Sequence, residues 1–225
     1  MHSFTVLMSL LRERARFLEE ISQGIRLDDK VFSLLVSSSI FLAIYGAIIG
    51  SSNSWMQVIA SAVKLPALYL VTSIICLPTL YLFGVFLGSR CNLKQYLALL
   101  LASTSIIGVM LFAFAPIVLF FRLSINSYDF FKLMNVVLFA ITGLMGINLF
   151  YKGIMLLEQH DGKSNSRTYI LRGWLFLYGF VGSQMGWILR PFFGDPDSKF
   201  QLFRQLESNF YLHIWEIIYR AIAGH

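Results

Sequence analysis

The sequence predicts an all-α protein: a polytopic membrane helix bundle of about five transmembrane helices, with amphipathic helices at its N- and C-terminal ends. Hydrophobic residues make up 57% of the chain and charged residues only 13%, whereas soluble domains are about 25% charged. Five long windows contain no charged residue, and each reaches or approaches the roughly 20 apolar residues that cross about 30 Å of hydrocarbon. These windows are residues 31–63, 65–89, 95–121, 133–151 and 173–189.

Residues 1–30 form an amphipathic lead-in that we expect on the cytoplasmic side. Leucine and isoleucine recur at helical spacing between residues 4 and 28, with one interruption at Arg14. Such a helix could lie on the membrane surface or bind a partner, or it could fold onto its own bundle. The apolar positions are Leu7, Leu10, Leu11, Leu18, Ile21 and Ile25.

The membrane domain follows the lead-in. The polar stretch after its first span, residues 51–63, is interpreted as a loop with a short interfacial piece anchored by Trp55. Pro66 suits the first turn of the second span, whereas Pro78 and Pro116 lie mid-span and are expected to kink their helices. The domain covers residues 31–190, with predicted spans at residues 32–50, 65–88, 93–121, 131–151 and 169–189.

Residues 191–225 are expected to form a structured exit loop and an interfacial amphipathic helix. Two prolines, a glycine and paired aromatic residues follow Arg190, a composition that fixes a turn. In the helix, one polar stripe lies opposite an aromatic and isoleucine face, a pattern typical of helices in the membrane plane. The stripe consists of Asn209, His213, Glu216 and Arg220.

Lysine and arginine residues set the expected orientation. With five spans, eleven of them fall on the N-terminal side and seven on the other side. Basic residues accumulate in cytoplasmic loops, so this distribution favours a cytoplasmic N-terminus. The tail then lies on the opposite side, and a different span count would invert it.

Two predicted spans carry strips of small residues. Gly182 and Gly186 have the GxxxG spacing that lets a second helix approach closely in lipid, and Gly46 and Gly50 continue a similar strip in the first span. Both strips are interpreted as packing faces, either inside the bundle or between subunits. The residues assigned to partner or packing contacts are Gly46, Gly50, Gly179, Gly182, Ser183, Gly186, Trp187 and Arg190.

Two amides, Gln184 and Asn148, lie inside predicted spans and need hydrogen-bond partners there. We expect them to point into the bundle or a water-filled cavity. On this basis the alternative function is a channel or small-solute carrier, with a path lined by the two amides, by Thr142 and by the mid-span prolines. The predicted span interiors hold no Asp, Glu, Lys or His, which argues against a proton-coupled transporter.

The exit loop holds the remaining candidates. Its carboxylates, Asp195, Asp197 and Glu207, could serve acid–base chemistry or a metal, and a membrane enzyme acting on lipid would need such a cluster. The sequence shows no His/Cys group of ligand spacing, no nucleophile elbow and no glycine-rich phosphate loop. Ion pairs with Arg190 or Arg204 are therefore the preferred interpretation, and no enzyme activity, metal or cofactor is expected. The loop candidates are Pro191, Asp195, Arg204, Glu207, Asn209 and Tyr211.

Five segments between residues 60 and 215 carry a family resemblance: KLPALYL at 64–70, ICLP at 75–78, YDFFKLMN at 128–135, GSQMGWILRPFFGDP at 182–196 and ESNFY at 207–211. They resemble a family of uncharacterised bacterial multi-spanning membrane proteins, some of them labelled actin-binding. The resemblance implies an architecture and no catalytic residues, and it suggests a bacterial inner membrane or another internal membrane. The five-span layout also loosely resembles the Yip-type membrane-trafficking proteins.

The sequence as a whole predicts a non-enzymatic integral membrane scaffold or accessory subunit. Small-residue helix faces and two interfacial helices would bind its partners. The expected partners are membrane lipids and either another protein or further copies of this chain. Nucleic acid is not expected, because no basic run is interleaved with exposed aromatic residues.

Overall fold

A computed structural model describes the chain over residues 3–51, 54–86, 89, 91–125, 128–158, 165–192 and 202. All regular structure in these ranges is α-helical, which confirms the all-α prediction. The helices are α1 (Ser3–Arg12), α2 (Arg14–Ser22), α3 (Leu27–Gly50), α4 (Trp55–Phe86), α5 (Leu93–Ser124), α6 (Tyr128–Glu158) and α7 (Asn165–Ile188).

Four of the described helices are long and apolar enough to cross a membrane, namely α3, α4, α5 and the Phe130–Leu157 part of α6. They confirm a polytopic, membrane-type helix bundle. Helix α7 covers the fifth predicted span but is not one of these four. Its sequence includes Arg172, four glycines, two serines and one glutamine, which lower its hydropathy. The fifth crossing therefore stays a prediction.

Helix α5 is the centre of the bundle, packed against α3 on one side and α6 on the other. Every residue from 98 to 108 is buried, as expected of a helix that is apolar all round and surrounded by protein. Two glycines let α6 approach closely. A Cβ atom added to Gly146 would lie 2.5 Å from Ile107, and one added to Gly153 would collide with Leu99.

Buried hydrogen bonds fix the relative positions of α3, α5 and α6. The Tyr45 hydroxyl of α3 donates to Asn135 Oδ1 of α6 over 2.7 Å, and Asn135 Nδ2 donates to the Phe131 carbonyl. The Ser105 hydroxyl of α5 donates to the Leu34 carbonyl of α3 over 3.2 Å. Because polar groups in an apolar setting need such partners, these bonds favour one arrangement of the three helices.

The N-terminal lead-in consists of two helices, not the single helix predicted over residues 4–28. Helix α1 ends at Arg12 and α2 begins at Arg14, where the apolar pattern is interrupted, so each helix turns its own apolar side chains inward. Both helices contact the bundle. Of the alternatives for this segment, folding onto its own bundle is the one that the structure shows. The buried side chains are Val6, Leu7, Leu10, Phe17, Leu18 and Ile21.

A turn with positive φ at Gly24 leads from α2 towards α3. Gln95, in the first turn of α5, closes this end of the bundle. Its Nε2 atom donates to the carbonyl oxygens of Ile21 and Ser22 at 3.1 and 2.8 Å, and its Oε1 atom accepts from the Asn92 N–H in a capping box. One side chain thus caps the start of α5 and the end of α2.

Helix α4 differs from its predicted span because it begins at Trp55 instead of near residue 65. Residues 55–63 of the stretch that was predicted to be a loop with a short interfacial piece form its first turns, and Gln57 and Ser61 are buried there. Pro66 and Pro78 both lie inside the helix. The polar side chains are tolerated at these buried positions because they bond to the chain that follows α7.

Candidate functional site

Helix α7 lies antiparallel along α4. The Trp174 indole nitrogen donates to the Cys76 carbonyl of α4 over 3.2 Å, and one turn later the hydroxyls of Tyr178 and Ser73 are 3.2 Å apart. The Trp174 ring also stacks on Phe150 of α6, with centroids 5.1 Å apart. The 24 residues of α7 correspond to about 36 Å of helix, enough to accompany α4 through a hydrocarbon core of about 30 Å.

The chain that leaves α7 is bonded to the first turns of α4. Gln57 Nε2 donates to the carbonyl oxygens of Pro191 and Phe192 at 2.9 and 3.3 Å. The Ser61 hydroxyl, one turn along α4, donates to the Phe192 carbonyl over 2.7 Å. Gln57 and Ser61 also bond to each other at 3.0 Å. Both side chains are buried, so these bonds form away from competing water.

Lys64 forms two further hydrogen bonds with the chain that follows α7. Its ammonium group donates to the Pro191 carbonyl over 3.2 Å and to the Leu202 carbonyl. Only 4% of the residue is exposed, and a buried ammonium is tolerable only when it has acceptors. We call Gln57, Ser61 and Lys64 the exit anchor, because together they fix the chain after α7 to the start of α4.

Sequence analysis missed the exit anchor because it assigned residues 51–63, which include Gln57 and Ser61, to a loop with a short interfacial piece and not to the second span. One signal was available. Lys64 is the single charge that separates the charge-free windows 31–63 and 65–89. A lysine in that position needs a partner, although the sequence does not say which one.

The predicted exit residues that the structure describes lie beside the exit anchor. The Arg190 guanidinium lies over the Trp187 ring at 3.3 Å from its centroid, a cation–π contact, and the peptide bond between Arg190 and Pro191 is cis. The remaining exit candidates, and the predicted C-terminal amphipathic helix, lie outside the described residues. These candidates are Asp195, Arg204, Glu207, Asn209 and Tyr211.

The small-residue strip of α3 is filled by α4. A Cβ atom added to Gly46 would collide with the backbone oxygen of Ser61, and one added to Gly50 would lie 2.6 Å from the backbone oxygen of Gln57. Both contacts involve backbone atoms, which cannot rotate away. The strip therefore lets the two helix backbones approach inside the bundle.

The small-residue strip of α7, defined by Gly179, Gly182, Ser183 and Gly186, has a different environment. No atom of the described chain comes within 4 Å of a Cβ atom added to Gly179 or Gly186, and at Gly182 only the Thr72 side chain does, at 3.7 Å. The Ser183 hydroxyl donates to the Phe180 carbonyl of its own helix over 2.7 Å. Within the described part of the chain, the strip is open at Gly179 and Gly186.

The polar residues of the alternative path do not meet. Thr142 is buried and donates its hydroxyl to the Leu138 carbonyl of its own helix over 2.8 Å. Asn148 is exposed on the outer face of α6, and Gln184 is half-buried on α7. A cleft of about 30 Å³ does lie between α5, α6 and α7, but neither amide lines it.

No family model, curated protein or solved structure matches this chain. The resemblance to bacterial multi-spanning proteins therefore stays a prediction, as do the location and partners that it suggests. Within the described ranges, no group of three His, Cys, Asp or Glu residues could hold a metal ion, and Cys76 and Cys91 are not joined in a disulfide. The features that remain are a helix fixed at its exit and an open small-residue strip along it.

Proposed function

We propose that this protein is a non-enzymatic accessory or scaffold subunit of a membrane complex, and that the α7 strip receives a transmembrane helix of a partner. The contrast between the two strips carries the proposal. The same kind of strip is filled by a neighbouring helix at Gly46 and Gly50, but is open among the described residues at Gly179 and Gly186.

The physical basis is the way in which helices associate in lipid. Lipid tails are as apolar as leucine side chains, so helices gain little from hiding apolar surface from each other. Association depends instead on close backbone approach, which glycine and serine permit. The α3–α4 pair uses this mode inside the bundle, and the α7 strip offers the same surface to a helix from outside.

The exit anchor supports this function by holding α7 in position. Its bonds fix the end of α7 against α4, while the Trp174 hydrogen bond to Cys76 fixes the part near its start. A surface that is already ordered loses less conformational entropy when a partner binds. The anchor therefore favours docking without contacting the partner.

Asn148 offers a partner a polar contact in addition to the α7 strip. It lies on the outer face of α6 beside the exposed side chains of Leu144 and Met145, ten residues or about 15 Å along the helix from Glu158. Its amide has no hydrogen-bond partner among the described residues. Amides inside a membrane find partners on other helices, so a helix that reaches this face would be held by more than packing.

The test compares two leucine substitutions on α7. Gly186→Leu fills the strip, whereas Gly173→Leu places the same side chain about 140° around the helix, also with no described atom within 4 Å of the added Cβ. The full-length protein is extracted in mild detergent, and its complexes are measured by size and by mass spectrometry. We expect Gly186→Leu to release the partner and Gly173→Leu to retain it.

Two outcomes would contradict the proposal. One is a wild-type protein that purifies gently as a monomer with no co-purifying protein. The other is a complex that survives Gly186→Leu as well as Gly173→Leu. If the co-purifying protein is a second copy of this chain, the strip is a homo-oligomer interface, which still satisfies the proposal.

A further inference from the structure

An open cleft of about 470 Å³ lies at the N-terminal end of the bundle, between α1, α2 and the start of α3. This volume falls within the range of about 300–1,000 Å³ that is typical of small-molecule sites. The cleft has no role in the proposed partner binding, because α7 does not contribute to it. Its charged lining residues are Glu13, Arg16, Glu20, Arg26, Asp29 and Lys30.

The charge pattern of the sequence places the cleft at the headgroup end of the first span. Asp28, Asp29 and Lys30 are the last charged residues before the charge-free window that forms most of α3. Ile25 lines the cleft with 43% of its surface exposed, and Phe32 is 64% exposed nearby in sequence. Charged groups at the start of a span, beside exposed apolar ones, are placed to contact both parts of a lipid.

The acidic and basic side chains that line the cleft are equal in number, so the lining favours a ligand that carries both charges and no net charge. Three acidic and three basic side chains line it, and Glu20 bonds to both Arg16 (3.3 Å) and Lys30 (2.9 Å). The pKa of Glu20 is lowered, mainly by the hydrogen bond from Lys30, so the carboxylate stays ionised. Sites for anionic lipids are clusters of unopposed lysine and arginine, and this cleft is not one.

Both signs of charge are also accessible in the cleft. The Arg16 side chain is 71% exposed, although it contacts Glu13 and Glu20, and can receive a phosphate. Asp29 is exposed and makes no ion pair with a described residue, so its carboxylate can receive an ammonium group. The one aromatic ring of the lining, Phe17, is already covered by the Lys30 ammonium at 5.0 Å from its centroid.

We propose that this cleft binds a phosphoethanolamine group, with the phosphate at Arg16 and the primary ammonium at Asp29. A phosphocholine group fits less well, because a quaternary ammonium cannot donate hydrogen bonds and is recognised by free aromatic faces. The level of the cleft indicates a membrane phospholipid as the source. A soluble phosphodiester carries the same group, so the two sources have to be separated by experiment.

The experiment titrates the purified full-length protein in detergent with ethanolamine, choline and glycerol phospholipids of identical acyl chains, and counts bound lipids by native mass spectrometry. We expect the ethanolamine lipid to bind most tightly. Asp29→Asn should weaken it roughly two- to fivefold, the scale of one exposed charge pair, and should weaken the choline lipid less, because its quaternary ammonium donates no hydrogen bond to the carboxylate. The matched control is Asp28→Asn, which removes the neighbouring carboxylate that pairs with Lys94 at 2.7 Å outside the cleft.

Soluble glycerophosphoethanolamine is the competitor that separates the sources. If it displaces the lipid at similar concentrations, the site takes a soluble phosphodiester; if it does not, the membrane is the source. Equal binding of the three lipids by the wild type would overturn the assignment. Equal losses in Asp29→Asn and Asp28→Asn would overturn it as well. Neither substitution touches the α7 strip, so this outcome is independent of the partner experiment.

Discussion

The same glycine-to-alanine substitution should change the free energy of unfolding differently in the two small-residue strips. Replacing Gly46 by alanine places a methyl group against the backbone oxygen of Ser61 in α4. That oxygen belongs to the backbone of α4 and cannot rotate away as a side chain could. The two helices must therefore separate, and overpacking of this kind costs about 1–3 kcal/mol.

Replacing Gly186 by alanine adds the same methyl group where no described atom lies within 4 Å. Alanine is the better helix former by about 0.8–1.0 kcal/mol, so this variant should be more stable than the wild type as a free subunit. Gly46 lies inside α3 and gains the same helix propensity, so the two alanine variants should differ by the overpacking cost, about 1–3 kcal/mol in the free energy of unfolding, with Gly46→Ala the less stable. Gly143→Ala in α6, which also has open space, should behave like Gly186→Ala.

The assay is equilibrium unfolding in mixed micelles of mild detergent and dodecyl sulfate, followed by tryptophan fluorescence. Each variant is measured as a purified, partner-free subunit, because a bound partner would add its own stabilisation. A Gly46→Ala variant as stable as Gly186→Ala would refute the close approach of α3 and α4. A Gly186→Ala variant that loses as much stability as Gly46→Ala would refute the open strip.

Three further predictions concern single side chains. Lys64→Met removes the ammonium bonds to the Pro191 and Leu202 carbonyls, and a loss of about 1.5–3 kcal/mol should make amides of the chain after α7 exchange hydrogen roughly ten- to a hundredfold faster in mass spectrometry. Tyr45→Phe removes the hydroxyl that donates to the side-chain oxygen of Asn135, Oδ1. It should lower the free energy of unfolding by about 0.6–1.7 kcal/mol in the mixed-micelle assay. Glu20, whose pKa is lowered by Lys30, stabilises the fold at neutral pH, and this contribution should disappear as the pH falls below 4.5 and through its lowered pKa. Glu20→Gln should therefore flatten the acid side of the melting-temperature profile.

Each of these predictions has a matched control. Lys152→Met removes an exposed lysine of α6 and should leave exchange in the exit segment unchanged. A double-mutant cycle of Tyr45→Phe with Asn135→Leu isolates their coupling, and a coupling near zero would contradict the bond. Glu19→Gln changes a neighbouring carboxylate that bonds only to Gln23 among the described residues, so its pH profile should follow that of the wild type.

Local composition predicted the helices that lie mainly in lipid or in the core. Residues 93–121 and 131–151 were assigned as spans, and α5 and α6 cover both. Charge spacing works for such helices because the cost of placing a charge in hydrocarbon depends on the residue itself. It failed at residues 55–64, where buried polar side chains look like a loop in the sequence but belong to α4.

The exit anchor could not be predicted because its acceptors are backbone carbonyl oxygens. Every residue carries the same carbonyl group, so the sequence at 191, 192 and 202 holds no sign that these atoms are bonded to Gln57, Ser61 and Lys64. The two glycine strips show a related limit. Their local patterns are alike, yet one is filled and the other is open, since the difference depends on which helix the tertiary fold places beside each.

The composition of α7 links its low hydropathy to its proposed role. Glycine, serine and glutamine make it less apolar than α3 to α6, so transfer into lipid favours α7 less than those helices. Its position therefore depends more on specific bonds, which the exit anchor and Trp174 provide from α4. In the proposed function, the same small residues form the surface that a partner helix approaches. A helix with these properties is stable where protein covers both of its sides, and α4 covers one of them.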